Sequence, residues 1–219
     1  MIFVSYHDNN YNKAFESKSE ELSNLGFTHV AFDENDLNKL LFVYRHRSVM
    51  HTIKNSGCIW KPYIVRLLME NLDYGDTLVY TDCGDELLPG IDLFIAQNIN
   101  ERGFLFIQSV HNHRRYTKKY CFKKMSCMQD KYLNSNQLEA GFFAVRSSPE
   151  TLKFIKEWEY WCNQYDVLFD ESIDGEWDDL IRHSRDQSIL TNLCIKYDIQ
   201  PVSIFLINNR YIRYNTRSE

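Results

Sequence analysis

The part of this sequence that most clearly suggests a binding or reactive site is a short apolar run that leads directly into acidic residues and a glycine. Residues 78–80 (Leu-Val-Tyr) favour a buried strand, and Asp82 follows at its predicted carboxyl end. In open α/β sheets, ligands bind beyond the carboxyl ends of the strands. Gly84 permits a sharp turn and a close approach of a ligand to the backbone.

A carboxylate on such a turn suits a divalent cation that carries a diphosphate, because such a cation needs rigidly held oxygen ligands. The same residues also fit an ordinary turn after a strand, since Asp and Gly are both common in turns. The choice between a site and a turn therefore depends on what the rest of the chain places beside Asp82.

Four further segments combine polar, charged or aromatic side chains with a predicted strand end or helix start. Each is a weak signal alone, because polar residues are common at such positions. Together they supply hydroxyl, carboxylate, amide and ammonium groups that could surround one ligand. The segments are residues 5–11 (SYHDNNY), 57–63 (GCIWKPY), 137–143 (QLEAGFF) and 183–188 (HSRDQS).

The chain is mildly acidic, with a formal net charge of −5 at pH 7. This balance argues against a sequence-independent nucleic-acid binder, which usually carries a broad basic surface. Basic residues cluster only locally, at residues 45–47 and 111–124. Each cluster suits either an anionic ligand such as a phosphate or an ordinary solvated loop.

The six cysteines form no Cys-x-x-Cys pair, so no zinc knuckle is predicted and free thiols are expected. The sequence enters a predicted strand directly after Met1 and contains no apolar run of about 18 residues. No signal peptide and no membrane span are therefore expected. We expect a reducing, cytoplasmic location, which for a viral protein would be the cytoplasm of the host cell.

Predicted strands alternate with predicted helices along most of the chain, which favours an α/β sandwich with a largely parallel sheet. No repeat or linker divides the sequence, so residues 1–219 are predicted to form a single domain. Residues 33–36 are predicted to form an acidic turn and residues 166–179 a mobile loop. The predicted strands are residues 2–6, 28–32, 77–80, 104–110, 141–145 and 202–206, and the predicted helices are residues 11–25, 62–71, 91–98, 149–164 and 186–197.

The segments around Lys61, Asp82, residues 139–142 (EAGF) and residues 186–188 (DQS), in this order, resemble the glycosyltransferases of the GT-A fold. The similarity is greatest to family 8-like enzymes and to short sugar transferases of bacteria and large DNA viruses. It extends over about the first 200 residues. The resemblance implies a Rossmann-like α/β fold, a mixed and largely parallel sheet flanked by helices, and a nucleotide-diphosphate sugar as donor.

The resemblance also implies a nucleotide site at the end of the first strand. The residues that would line the base and ribose are Tyr6, His7, Asp8 and Tyr11. Tyr11 offers a stacking face, or it packs on the sheet as an ordinary helix residue. Lys61 would face the diphosphate or the donor sugar from a helix start, or it is a surface lysine.

Asp82 would contact the ribose or a divalent cation, Mn²⁺ or Mg²⁺, with Cys83 and Gly84 against the donor. The Asp-x-Asp motif of these enzymes has its second aspartate where this chain has Gly84. Asp85 or the diphosphate itself would then complete the metal shell. His183 could serve as a further ligand, although a single histidine is more often structural.

The sugar end of the site is implied by the EAGF and DQS segments. Glu139, Ala140 and Gly141 would lie beside the donor sugar. Asp186 and Gln187 would hydrogen-bond its hydroxyls, and Asp186 also fits a carboxylate favoured by a helix N-terminus. Asp186 or Glu139 would act as the base for an acceptor hydroxyl or stabilise an oxocarbenium-like transition state, so inversion and retention both stay open.

The resemblance therefore implies a glycosyltransferase that moves a sugar from a UDP- or GDP-sugar to a hydroxyl of a glycan or glycoprotein. Residues 166–179, with Trp177, are the predicted acceptor-side flap. The alternative is a non-catalytic nucleotide-sugar or glycan-binding module with the same fold. Its support is the glycine that replaces the second aspartate at position 84.

Overall fold

The computed structural model describes residues 1–7, 12–49, 57–169 and 176–214. Its strands are β1 (Ile2–Tyr6), β2 (Thr28–Phe32), β3 (Thr77–Thr81), β4 (Glu86–Leu87), β5 (Phe104–Asn112), β6 (Asn136–Arg146), β7 (Val202–Ser203) and β8 (Ile212–Arg213). Its α-helices are α1 (Asn12–Asn24), α2 (Glu34–Lys39), α3 (Phe42–Arg45), α4 (Trp60–Met69), α5 (Ile91–Asn98), α6 (Lys119–Lys124), α7 (Asp130–Leu133), α8 (Pro149–Cys162), α9 (Tyr165–Leu168) and α10 (Arg185–Lys196). Short 3₁₀ helices cover His113–Tyr116 and Ile204–Leu206.

Six strands form one mixed sheet in the order β2-β1-β3-β6-β5-β7. Strand β1 is parallel to both β2 and β3, and β5 is parallel to β7, whereas β6 is antiparallel to β3 and β5. Three of the five neighbouring pairs are thus parallel, which confirms the predicted mixed, largely parallel sheet. Strands β4 and β8 form a separate two-stranded antiparallel sheet.

Alternation of side chains along the central strands divides the core between the two faces of the sheet. In β3, Leu78 and Tyr80 belong to one buried cluster and Val79 to the other, as the two-residue period of a strand requires. The first cluster includes side chains of α4, α8 and α10, and the second includes those of α5 and the small β4–β8 sheet. The sheet is therefore covered on both faces, and its strand ends are left to form a site.

Several predicted elements are confirmed and others are corrected. Strands β1 and β2 and helix α5 have the predicted bounds, and Ser148 caps α8 as predicted. The predicted turn at residues 33–36 is wrong, because Asp33 and Asp36 form a reciprocal capping box that starts α2. The predicted strand at residues 202–206 is also wrong beyond Ser203, since a 3₁₀ helix follows.

The predicted mobile loop at residues 166–179 is ordered at both of its ends. Helix α9 covers its beginning, where Val167 and Leu168 are buried. At the other end the Trp177 ring lies under the Lys119 ammonium at 4.8 Å, and Glu176 accepts a hydrogen bond from the Lys119 backbone amide. Residues 170–175 lie outside the described residues.

No helix in the described part of the chain is both long enough and apolar enough to span a bilayer.

Candidate active site

A polar cleft of about 510 Å³ opens at the carboxyl end of β3. Four elements position its walls: the end of β3, the middle of β6, the first turn of α4 and the first turn of α10. The cleft is lined by Lys61, Asp82, Asp85, Glu139, Ala140, Gly141, Arg182, His183, Ser184, Arg185, Asp186, Gln187 and Tyr214. The fold thus brings Lys61, Asp82 and the predicted residues of the EAGF and DQS segments together, whereas Cys83 and Gly84 are not among the lining residues.

Lys61 lies at the centre of this cleft and its side chain is only 6% exposed. Its Nζ donates a hydrogen bond to the backbone oxygen of Ala140 at 2.9 Å. The same ammonium lies 3.4 Å from Asp82 Oδ1 and 3.7 Å from Asp186 Oδ2. Lys61 is therefore not a surface lysine, and its charge is shared between two carboxylates from different elements.

The two carboxylates outweigh the effect of burial on Lys61. Burial works to lower the pKa of this ammonium, but Asp82 and Asp186 raise it, and the net pKa lies above its ordinary value. Lys61 is consequently a fixed positive charge at neutral pH. It holds the end of β3 and the start of α10 against the same point of β6.

Asp82 is the most accessible member of this group, with a side chain that is 43% exposed. Its Oδ1 accepts a hydrogen bond from the Tyr80 hydroxyl at 2.7 Å, which fixes one carboxylate oxygen. A methyl group on Gly141 would lie 2.9 Å from Asp82 Oδ2 and 3.5 Å from Asp85 Oδ2. The missing side chain of Gly141 therefore leaves a space that two carboxylate oxygens face.

That space tests whether a divalent cation fits the residues present. Mn²⁺ and Mg²⁺ take hard oxygen ligands, often one or two carboxylates with phosphate oxygens and waters. Asp82 and Asp85 supply two such carboxylates, and Asp85 is buried. Among the described residues no group of three His, Cys, Asp or Glu side chains could hold a metal. The protein thus offers two carboxylates to a cation at this place, and a ligand such as a diphosphate would supply the remaining oxygens of its shell.

We expect Gly141→Ala to weaken the binding of a nucleotide sugar by about 3- to 10-fold, the range of one displaced hydrogen bond. The new methyl group would push the Asp82 carboxylate from its present position. Titration of UDP- and GDP-sugars by calorimetry measures the effect. In an Asp82→Ala background the same change should have no further effect, and an additive loss would contradict this reading.

Asp186 and Glu139 are the two predicted catalytic carboxylates, and burial raises the pKa of both. Burial raises the pKa of Asp186 to about 6, against the opposing effect of Lys61. Its Oδ2 is shielded from solvent and has no hydrogen-bond partner among the described residues. Burial also raises the pKa of Glu139, on β6. Carboxylates with raised pKa values in a cleft are common in functional sites.

Gln187 is tied to β6 at both ends of its amide. Its Oε1 accepts a hydrogen bond from the Ala140 backbone amide at 3.3 Å, and its Nε2 donates to Gln137 Oε1 at 3.0 Å. Among the described residues these bonds leave one amide hydrogen and one lone pair of Gln187 for a ligand. Gln187 therefore fixes the start of α10 on the strand in addition to its predicted role toward sugar hydroxyls.

His183 lines the cleft, but its ring nitrogens bond within the protein. Its Nδ1 accepts a hydrogen bond from the Lys118 backbone amide at 3.3 Å, and its Nε2 donates to the Val167 oxygen at 2.9 Å. Burial, followed by the charge of Lys118, lowers the pKa of His183 to about 3. This geometry favours a structural role over the metal-ligand role considered from the sequence.

The predicted nucleotide residues lie at the end of β1, next to the acidic turn. The Tyr6 ring stacks on Trp60 at 4.2 Å, and the Cys83 thiol donates to the Tyr6 backbone oxygen. The His7 ring stacks on Phe15 at 3.9 Å, and its Nδ1 is buried without a hydrogen-bond partner in the described part of the chain. The predictions for Asp8 and Tyr11 fall outside the described residues.

Four lining residues have no role assigned from the sequence: Arg182, Ser184, Arg185 and Tyr214. Ser184 and Arg185 lie within the HSRDQS segment and Arg182 directly precedes it, so their place in the sequence was the available signal. Arg185 has a φ of 47°, a conformation that is costly for a residue with a side chain and typical of functional sites. Tyr214 gave no local signal, because the pairing of β4 with β8 brings it to the cleft from the far end of the chain.

The Tyr214 hydroxyl is shielded from solvent and has no hydrogen-bond partner among the described residues. Burial, together with Asp85 and Glu139, raises the pKa of Tyr214, so the hydroxyl keeps its proton. The cleft is thus lined by four carboxylates, a phenol, two arginines and the Lys61 ammonium.

The sequence matches no protein-family profile and no curated protein. Solved structures do share the fold. One is a glycosyltransferase involved in glycosylation of the major capsid of PBCV-1, with a TM-score of 0.50 and 11% identity over 92% of this chain and 80% of that one. Another is the bifunctional glycosyltransferase WbbM, with a TM-score of 0.53 and 10% identity over 88% of this chain.

This chain spans 37% of the length of WbbM. At these identities the likeness shows the fold alone, and that fold is the GT-A-like arrangement of a mixed sheet flanked by helices.

Proposed function

We propose that this protein is a glycosyltransferase that moves a sugar from a UDP- or GDP-sugar to a hydroxyl of a glycan or glycoprotein. The observation that carries this proposal is the buried Lys61, which joins Asp82 and Asp186 in a polar cleft of a GT-A-like fold. A buried cation between two carboxylates of different elements costs free energy to desolvate, and such arrangements are typical of functional sites.

The sheet order supports a nucleotide site between the ends of β1 and β3. The chain passes from β1 to β2 on one side and to β3 on the other, so the order reverses at β1. Ligands of open α/β sheets bind at such switch points. Tyr6, His7, Cys83 and Gly84 lie at these strand ends, and Asp8 and Tyr11 follow β1 in the sequence.

Asp82 and Asp85 would hold a divalent cation, Mn²⁺ or Mg²⁺, beside the donor diphosphate. When bound, such a cation neutralises the charge that develops on the leaving diphosphate. Lys61 contributes in a different way, because its ammonium fixes the Asp82 carboxylate in the direction of the cleft. Ala140 and Gly141 line the cleft beside these groups, where the donor sugar would lie.

Asp186 is the better placed of the two candidate bases. A general base works best when its pKa lies slightly below the working pH, and a value of about 6 meets this condition. Glu139, on β6, lies near Asp82 and suits a contact to a sugar hydroxyl or to the positive charge of the transition state.

We expect Asp82→Ala to weaken donor binding by about 10-fold or more, since a charged hydrogen-bonding contact is lost. Titration of UDP- and GDP-sugars, with and without Mn²⁺, measures this loss. Asp73→Ala is the matched control, because Asp73 is exposed in the loop that precedes β3. Unchanged donor binding by a folded Asp82→Ala protein would remove Asp82 from the site.

A non-catalytic nucleotide-sugar or glycan-binding module is the second candidate, favoured by Gly84 in place of a second aspartate. The two candidates differ in turnover. A module binds nucleotide sugars without releasing the nucleoside diphosphate, whereas a transferase releases it when an acceptor is present.

A further inference from the structure

Two basic segments that are far apart in the sequence lie side by side at the mouth of the cleft. The Ile181 amide donates to the Arg115 oxygen at 2.8 Å, and the Ser184 amide donates to the Tyr116 oxygen at 2.9 Å. This pairing brings Arg115 next to the segment that carries Arg182 and Arg185. All three arginines are exposed, and we call them the cationic rim.

Two neighbouring basic residues have carboxylate partners, which distinguishes them from the arginines of the cationic rim. Arg114 is paired with Asp179 at 2.7 Å, and Lys124 lies 3.5 Å from Asp166. Within residues 1–7, 12–49, 57–169 and 176–214, no carboxylate lies within 4.0 Å of a rim guanidinium. Exposed guanidinium groups with this geometry bind phosphates and carboxylates through two parallel hydrogen bonds.

The position of the cationic rim separates it from the proposed nucleotide site. That site lies at the ends of β1 and β3, whereas Arg115 follows β5, which is separated from β3 by the whole of β6. Arg182 and Arg185 line the cleft from the α10 side. A group bound by the rim would thus meet the donor sugar from the side opposite the nucleotide.

One arginine of the cationic rim, Arg182, packs on an aromatic ring. The Arg182 guanidinium lies over the Tyr116 ring at 5.8 Å, and the His111 ring contacts Tyr116 at 4.8 Å. Tyr116 is half-buried. The Tyr116 ring thus packs against Arg182 and His111, and this contact helps to hold the Arg182 charge at the rim.

We propose that the acceptor is a saccharide with an anionic substituent, a phosphate or a carboxylate, and that the cationic rim binds this substituent. The proposal rests on the function proposed above, because it assigns the acceptor side of the same cleft. It also gives a role to the part of the basic cluster around Arg115 and Tyr116, whose backbone pairs with the segment that lines the cleft.

The test compares wild type with Arg182→Gln/Arg185→Gln in the presence of UDP or GDP. The probes are sialyllactose against lactose, and phosphorylated trimannose against trimannose. The control, Lys153→Gln/Arg210→Gln, removes the same charge from exposed residues that do not line the cleft. We expect wild type and control to bind the charged member of at least one pair about 10-fold more tightly than the neutral member.

We expect Arg182→Gln/Arg185→Gln to lose this preference and to bind UDP and GDP as wild type does. Equal binding of charged and neutral saccharides by wild type would overturn the proposal. So would an equal loss of UDP or GDP binding in the double variant, because that result assigns the arginines to the donor diphosphate. Failure of wild type to bind UDP, GDP and all nucleotide sugars would instead contradict the proposed glycosyltransferase function itself.

Discussion

Replacing Asp186 with asparagine is expected to lower the turnover of nucleotide sugar by about 100-fold or more, the usual contribution of a general base. Asparagine has the same shape but cannot accept a proton from the acceptor hydroxyl. Lys61 keeps Asp82 at 3.4 Å and the Ala140 oxygen at 2.9 Å, so we expect the cleft to keep its form. The measurement is release of UDP or GDP in the presence of acceptor, together with donor binding, which should change little.

The dependence of turnover on pH provides an independent test of Asp186. Below a pH of about 6 this carboxyl group takes up a proton, so wild-type activity should fall as pH decreases through that value. The Asp186→Asn protein should lack this acidic decline. Glu139→Gln is the matched variant, because it removes the other carboxylate with a raised pKa. If Glu139→Gln abolishes turnover while Asp186→Asn does not, Glu139 is the base and the present assignment is wrong.

Replacing Lys61 with methionine is expected to lower the free energy of unfolding by about 3–5 kcal/mol, because it leaves buried carboxylate charge without its partner. Methionine fills a similar volume, so little of the loss would come from packing. Asp186 is almost fully buried and carries most of the effect, whereas Asp82 is 43% exposed and is screened by water. Urea unfolding of both proteins measures the difference.

The loss of unfolding free energy caused by Lys61→Met should depend on pH, and the ionisation of Asp186 determines whether it grows or shrinks as pH rises. The pKa of this carboxyl is about 6 in the folded protein and 3.8 in the reference state, so ionisation of Asp186 costs stability as pH rises between these values. Without Lys61 the folded pKa rises further and the cost grows. The stability loss should therefore be smallest in acid and largest at neutral pH.

Two variants control the Lys61 experiment. Lys153→Met removes an exposed ammonium from α8 and should change stability little. Lys61→Met/Asp186→Asn removes both members of the buried pair and should recover a large part of the lost stability, since no uncompensated charge remains at position 186. A double variant as unstable as Lys61→Met would show that the buried pair is not what the substitution disrupts.

The parts of the fold that depend on local pattern were predictable from the sequence. Residues 2–6 and 28–32 are apolar and β-branched or aromatic runs bounded by turn residues, and they form β1 and β2 with those bounds. Ser148 and Pro149 mark the start of α8 as a cap and a first helical residue do. The placement of Asp82 at the end of β3 followed from the same kind of reasoning.

The sequence signal at the start of α2 is ambiguous, and this is why residues 33–36 are predicted as a turn. Asp33 and Asp36 are spaced as in a capping box, but acidic residues with asparagine are equally common in turns. The strand predicted at residues 202–206 is likewise only partly formed, as the two-residue β7. Residues 202–206 are largely apolar, yet only two of them pair with β5, because partner availability and not local preference decides the length of an edge strand.

The arrangement of the candidate site could be predicted only in part. Asp186 and Asp82 were identified singly, but their shared contact with Lys61 joins three elements and has no local signature. Tyr214 reaches the cleft through the pairing of β8 with β4, and the backbone pairing of their segments brings Arg115 next to the segment that carries Arg182. Such long-range contacts follow from the packing of the whole chain, and one segment of sequence does not encode them.

The most direct test of the proposed function is turnover of a panel of UDP- and GDP-sugars by the wild-type protein, with and without Mn²⁺, in the presence of neutral and acidic oligosaccharides. Mass spectrometry of the saccharides and an assay for free UDP and GDP report the two products of one reaction. We predict release of UDP or GDP together with an acceptor whose mass has increased by one sugar. Binding of donors with no released diphosphate and no modified saccharide under any of these conditions would contradict the assignment as a glycosyltransferase.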